Sequence, residues 1–191
     1  SIILISDGDS DQCCLQLLIT AWRHLQLGLF SNMPLRGAIA FGEVFVNSDL
    51  SIFLGDALTR AYLLEEKQAW MGIALEPSMS SRCESMFQDF IQRKDSVPDF
   101  LILSELFPEY PVPMKDGKRE SLRVINWRFN MMSAKGTEYH LGVHEAPDVK
   151  EKVRNTLEFA KWVREQHPDR EPIVLGKAAT DVAIELKRFF A

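Results

Sequence analysis

No run of about 18 consecutive apolar residues occurs in this 191-residue chain, so no transmembrane helix and no membrane partner is expected. The opening residues, Ser-Ile-Ile-Leu-Ile-Ser-Asp-Gly-Asp-Ser-Asp, carry no basic stretch ahead of an apolar one, and no signal peptide is expected there. They begin inside what reads as a β-strand, so further residues are expected upstream of Ser1. Basic residues are in deficit, with 22 Lys and Arg against 27 Asp and Glu for a net charge of −5. Binding nucleic acid by neutralising phosphates calls for the opposite balance, and no nucleic-acid partner is expected. Cysteine is scarce. Cys13, Cys14 and Cys83 are odd in number and lie in helical patterns, unlike a disulfide framework or a zinc site, and they read as reduced cytosolic thiols. No phosphate-binding P-loop, dinucleotide fingerprint or Gly-x-Ser-x-Gly motif is present. Of His24, His140, His144 and His167, only the pair at 140 and 144 has a metal-ligand spacing, and Gly142 disfavours the helix that spacing requires.

What the chain does have is the apolar content of an ordinary globular protein, 46%, arranged in recognisable periods. Ser1 to Ser6 is a short apolar run best read as a buried strand. Asp7 to Asp11 supplies a turn and N-cap oxygens. From Cys14 through Leu17, Leu18, Ala21, Leu25 and Leu29 the apolar residues fall at helical spacing until Asn32-Met33-Pro34. Leu35 to Phe41 and Val44 to Val46 read as strands interrupted by Gly42-Glu43. Asn47 to Asp49 reads as a turn, and Ser51 to Leu54 as a short approach to Gly55. A helix ends near Gln68, Ile73 to Leu75 is a strand, and Ser80 to Lys94 a helix with Cys83, Phe87, Phe90 and Ile91 inward. Beyond it, Asp99 to Leu103 is a strand candidate, and three prolines with Asp116-Gly117 make 108–118 a loop or hairpin. Ser121 to Phe129 reads as a strand. Asp148 and Glu151 form a capping box for a helix reaching about Gln166, and Ile173 to Phe190 reads as a last helix. The expected class is α+β.

The residues from Pro34 to Glu76 say more than their periods. Leu35-Arg36-Gly37-Ala38-Ile39-Ala40-Phe41-Gly42-Glu43, followed by Phe53-Leu54-Gly55-Asp56-Ala57-Leu58-Thr59-Arg60-Ala61-Tyr62-Leu63-Leu64-Glu65, resembles the catalytic core of class III nucleotidyl cyclases. Within that family the Arg36-Gly37 pair and the Ala61-Tyr62-Leu63-Leu64-Glu65 segment are similar to the divergent bacterial pyrimidine cyclases of Pycsar antiviral defence. The resemblance spans roughly residues 1 to 76. It implies a ferredoxin-like cyclase homology domain over 1–104 that dimerises head to tail, followed by an extension over 105–191 with a strand and two helices. It further implies a cytoplasmic homodimer that binds a nucleoside triphosphate, UTP or CTP, and converts it to a 3′,5′-cyclic nucleotide and pyrophosphate. Two divalent cations, Mg²⁺ or Mn²⁺, held by two aspartates would stabilise the in-line displacement.

Carried onto this chain, the resemblance assigns nucleotide binding to Arg36, Gly55, Asp56 and Tyr62, and catalytic positions to Thr59 and Arg60. Thr59 stands where the family has a transition-state Asn. Leu63 stands where it has a transition-state Arg, so Arg60 would have to substitute. Ile52 replaces a purine-reading Asp, and Gly72 sits where relatives often place an Arg. For the metal, Asp7 follows Ser6 as the family's aspartate follows a small residue. A second register instead makes Ser1 to Ile5 the strand after that aspartate and puts both metal ligands upstream of Ser1. The same residues have plainer readings: Arg36 as a packing residue, Asp56 as a helix-dipole partner, Tyr62 and Trp70 as core aromatics. A catalytically inactive dimerisation or nucleotide-sensing module is the alternative.

Overall fold

The computed structural model describes residues 2–31, 33–93, 103–127, 141 and 146–166. It is a mixed α+β structure in which the sheets are small, each pairing two strands. The elements are α1 (Asp11–Phe30), β1 (Gly37–Ile39), β2 (Phe45–Asn47), β3 (Ile52–Leu54), α2 (Asp56–Lys67), β4 (Ile73–Leu75), α3 (Pro77–Arg93), the single turn α4 (Leu103–Leu106), β5 (Glu109–Pro113), β6 (Arg119–Arg123) and α5 (Pro147–Gln166). Of the expected strand at 99–103 only Leu103 is among the described residues, and it begins α4 rather than a strand; the expected helix at 173–190 and His140, His144 and His167 lie outside the described residues. No helix among the described residues is long and apolar enough to cross a membrane.

The chain divides into two compact units, Ser1–Leu35 with Asn126–His144 and Leu157–Ala191, and Arg36–Ile125 with Glu145–Thr156. In the first, α1 starts where its sequence signals it should. The Ser10 hydroxyl accepts the Cys13 amide at 3.2 Å, and Cys14, Leu18, Ala21, Leu25 and Leu29 are buried along one stripe. Gln26 donates to the Trp127 carbonyl at 3.1 Å, and the Trp127 ring packs 5.8 Å from Phe159. The expected buried strand at the start of the chain is not there: Ile2 to Ile5 belong to no helix or strand and are 37 to 68% exposed. An apolar run becomes a strand only when a neighbour supplies the ladder, and no described strand pairs with it.

In the second unit β1 runs parallel to β4, with Gly37 opposite Ile73, Ala38 opposite Ala74 and Ile39 opposite Leu75. Parallel neighbours need a crossover, and α2 is part of it, burying Ala57 and Leu64. All three β4 residues are buried, which fits its unbroken apolar sequence. On the far side the Ile125 amide donates to the Ile73 carbonyl at 2.9 Å. The proline-rich stretch takes the hairpin option, β5 pairing antiparallel with β6 around the positive-φ Gly117. Tyr110 stacks on Trp70 with centroids 5.5 Å apart. The first half of α5 supplies Asn155, which donates to the Ala69 carbonyl at 2.7 Å, and Thr156, whose hydroxyl accepts the Met71 amide at 2.9 Å. At the start of that helix Lys152 donates to the Asp148 carboxylate and holds its pKa below the usual carboxylate value.

Candidate functional site

Helix α2 is fixed at both ends by arginines, and the two motif segments meet because of it. At its C-terminal end Arg36, just before β1, donates from Nε to Glu65 Oε1 at 2.6 Å and from a terminal nitrogen to the Gln68 carbonyl at 3.0 Å. That second bond satisfies a carbonyl that the helix end leaves without a partner in the helix. At its N-terminal end Arg60 reaches out of the first turn to the Phe41 carbonyl at 2.8 Å and pairs with Asp56. Arg60 Nε also lies 3.4 Å from Glu76 Oε2; it is buried, and its alignment makes this an ion pair rather than a hydrogen bond. Glu76 in turn accepts from the Ser78 amide at 2.9 Å and from the Ser78 hydroxyl, and that hydroxyl accepts the Phe41 amide at 3.0 Å. The end of β1, the start of α2 and the start of α3 thus share one polar cluster.

Two glycines make the cluster possible. Gly42 has φ +153°, and a Cβ there would sit 3.1 Å from the Arg60 guanidinium and 3.2 Å from Ala57 Cβ. Gly55 is the N-cap of α2, and a Cβ there would collide with the Glu43 carbonyl oxygen and lie 2.9 Å from Val44 Cα. The backbone at the base of the β2–β3 hairpin therefore lies directly against the start of the helix. No side chain caps that start. Uncapped first-turn amides together with the helix dipole form a surface that favours an anion.

The positions assigned from the sequence fall into two groups. Arg36, Gly55, Asp56, Thr59, Arg60 and Tyr62 all belong to the second unit and all lie on α2 or against it. Thr59 donates its hydroxyl to the Gly55 carbonyl at 3.2 Å, and the guanidinium groups of Arg36 and Arg60 are engaged within the fold. Tyr62 is 58% exposed, against its plainer reading as core, whereas Trp70 is fully buried and donates to Gln68 Oε1 at 2.7 Å. Leu63 is exposed beside Tyr62. Asp7 lies exposed in the bend before α1, in the first unit. Among the described residues no group of three or more His, Cys, Asp or Glu is placed to hold a metal ion. Cys14 and Cys83 are core residues.

Sequence reading passed over Gln68, Glu76 and Ser78. Gln68 is wholly buried and makes three side-chain bonds: to the Gly37 carbonyl at 3.1 Å, to the Leu64 carbonyl at 3.2 Å, and from Trp70. The one available signal was a polar residue at a helix end flanked by apolar ones, a pattern shared with many exposed glutamines. No protein-family model, curated protein or solved structure matches this chain.

Proposed function

We propose that residues Arg36 to Glu76 form the nucleotide-binding core of a nucleotidyl-cyclase-like domain in a ferredoxin-like frame. Its reaction converts UTP or CTP to the 3′,5′-cyclic nucleotide: the ribose 3′-oxygen bonds to the α-phosphorus, the bond to the β-phosphate oxygen breaks, and pyrophosphate leaves. The observation that carries this reading is the convergence of its two motif halves. Arg36 grips the end of α2 and Arg60 grips the end of β1, so the Arg-Gly strand and the Gly-Asp helix are bound at both ends. In this reading the uncapped first turn of α2 receives a phosphate oxygen and the exposed Tyr62 ring packs against the base. The two-metal step calls for Mg²⁺ or Mn²⁺. Asp56 and Glu76 face Arg60 and Glu65 faces Arg36, and among the described residues no group of three or more His, Cys, Asp or Glu is placed to hold a metal ion, so no ligand is assigned. The reading also makes the protein a cytoplasmic homodimer.

One observation favours a second reading, a catalytically inactive dimerisation or nucleotide-sensing module. Thr59 and Arg60 spend their hydrogen bonds within the fold, and Leu63 offers no charge to a transition state. Calorimetry of the protein with UTP, CTP, ATP and GTP tests nucleotide recognition, which the cyclase and the nucleotide-sensing module share and a pure dimerisation module lacks. Saturable binding of a pyrimidine triphosphate, tighter than that of either purine, is expected. No binding of any of the four would remove nucleotide recognition altogether.

A further inference from the structure

The sequence holds two Asp-Gly pairs, Asp7-Gly8 and Asp116-Gly117, and the fold places them in opposite circumstances. In such a pair the glycine nitrogen can close a five-membered ring on the aspartate carboxyl carbon, because no Cβ hinders its approach. Closure needs a nitrogen free to turn, a carboxyl free to meet it, and an acid form from which water leaves. At Asp116-Gly117 all three are opposed. The Gly117 amide donates to the Met114 carbonyl at 3.0 Å, and the Met114 amide closes the same turn on the Lys118 carbonyl at 2.9 Å. Asp116 Oδ1 accepts the Lys118 amide at 3.0 Å, and Oδ2 lies 3.4 Å from Lys118 Nζ. The Lys118 amide and ammonium group hold this carboxyl below its usual pKa, so less of it is in the acid form at neutral pH. At Asp7-Gly8 nothing holds the reacting atoms. Both residues are exposed in the bend before α1, and among the described residues neither the Asp7 carboxylate nor the Gly8 amide has a hydrogen-bond partner. The Ser6 hydroxyl donates to the Gly8 carbonyl at 2.8 Å, and that oxygen takes no part in ring closure.

We propose that Asp7-Gly8 is a self-modification site, at which the main chain isomerises from aspartate to isoaspartate. The Gly8 nitrogen bonds to Asp7 Cγ, the bond from Cγ to its hydroxyl breaks, and the amide proton leaves with that hydroxyl as water. The cyclic imide then takes up one water at either of its two carbonyl carbons. Opening at Cγ restores aspartate, whereas opening at the Asp7 main-chain carbonyl routes the backbone through Cγ. Water is the only co-reactant, and no oxidant or reductant is needed. The product has one extra methylene in its main chain and carries the former main-chain carbonyl as a free carboxylate. That α-carboxylate is the group a protein carboxyl methyltransferase esterifies. The site lies three residues ahead of Ser10, whose hydroxyl accepts the Cys13 amide, so the cap of α1 stays intact. It stands apart from the nucleotide reading, since isomerisation would proceed whether or not the chain binds a nucleotide.

The purified protein is held at neutral pH and body temperature for several weeks, with a second sample kept unfolded in guanidinium chloride. Peptide mass spectrometry with electron-transfer fragmentation then separates isoaspartate from aspartate at each position. In the folded protein isoaspartate should build up at position 7 faster than at position 116 by about tenfold or more, because only the hairpin turn must open before it can react. In the unfolded sample the two positions should differ by less than about threefold, since that protection is gone. Gly8→Ala should slow the reaction at Asp7 by about tenfold in both samples, as a Cβ now hinders the nitrogen. The variant fits the fold, because its Cβ would lie 3.7 Å from Cys13 Sγ, an ordinary contact. Equal rates at the two positions in the folded protein would overturn the proposal. So would a folded protein that keeps Asp7 unchanged while the unfolded sample isomerises, or a Gly8→Ala variant that reacts as fast as the wild type.

Discussion

Replacing Gln68 by Ala should cost about 3–5 kcal/mol of stability, the largest loss expected from any single polar side chain described above. The residue is wholly buried, and its amide joins three separate pieces of chain. Its nitrogen donates to the Gly37 carbonyl of β1 and the Leu64 carbonyl of α2, and its oxygen accepts the Trp70 indole. Truncation leaves the Trp70 N–H without its buried acceptor and takes a donor from two carbonyls, and each orphaned group costs about 1–3 kcal/mol in desolvation. The space vacated adds a cavity term. Gln68→Glu keeps the acceptor for Trp70 but turns carboxylate oxygens towards both carbonyls, so it should fare no better. Thermal unfolding reads the effect as a drop in Tm of about 10 °C for a chain of this size. A drop of under about 2 °C would show that the amide is not the pin between strand and helix.

Gly55→Ala should cost about 2–3 kcal/mol for a different reason, overpacking against backbone. The new Cβ would overlap the Glu43 carbonyl oxygen and approach Val44 Cα to 2.9 Å. Neither atom belongs to a flexible side chain, so either the hairpin base or the first turn of α2 must move. Gly55→Ser separates this account from a capping account. Serine is a preferred N-cap residue and would stabilise an unhindered helix start, yet it brings the same Cβ. Both variants should therefore unfold at lower urea concentration than the wild type, and a stabilised Gly55→Ser would contradict the close approach.

How much of this could be read beforehand follows from which interactions are local. Helix α1 was legible because its cap and its stripe both lie within one segment, from Ser10 to Leu29. Strand β4 was legible from Ile73-Ala74-Leu75 alone, since a fully buried parallel strand is apolar throughout. The same rule misleads at Ile2 to Ile5 and in the hairpin, where apolar residues lie exposed. Composition reports that a residue favours burial, while the fold decides whether anything is there to bury it. The candidate site divides in the same way. Arg36, Gly55, Asp56, Thr59, Arg60 and Tyr62 were singled out as motif letters, but their partners were not readable. Arg36 reaches 29 residues along the chain to Glu65, and Arg60 reaches 19 back to Phe41. Both arginines hold the scaffold, while the Tyr62 side chain stays exposed on α2.

Whether that scaffold performs chemistry is answered most directly by turnover. The full-length protein is incubated in turn with UTP, CTP, ATP and GTP in the presence of Mn²⁺, and the products are identified by mass. Formation of a 3′,5′-cyclic pyrimidine nucleotide with one equivalent of pyrophosphate, and little or none from the purines, is the expected outcome. No cyclic product from any of the four would contradict the cyclase reading and leave the inactive module in its place.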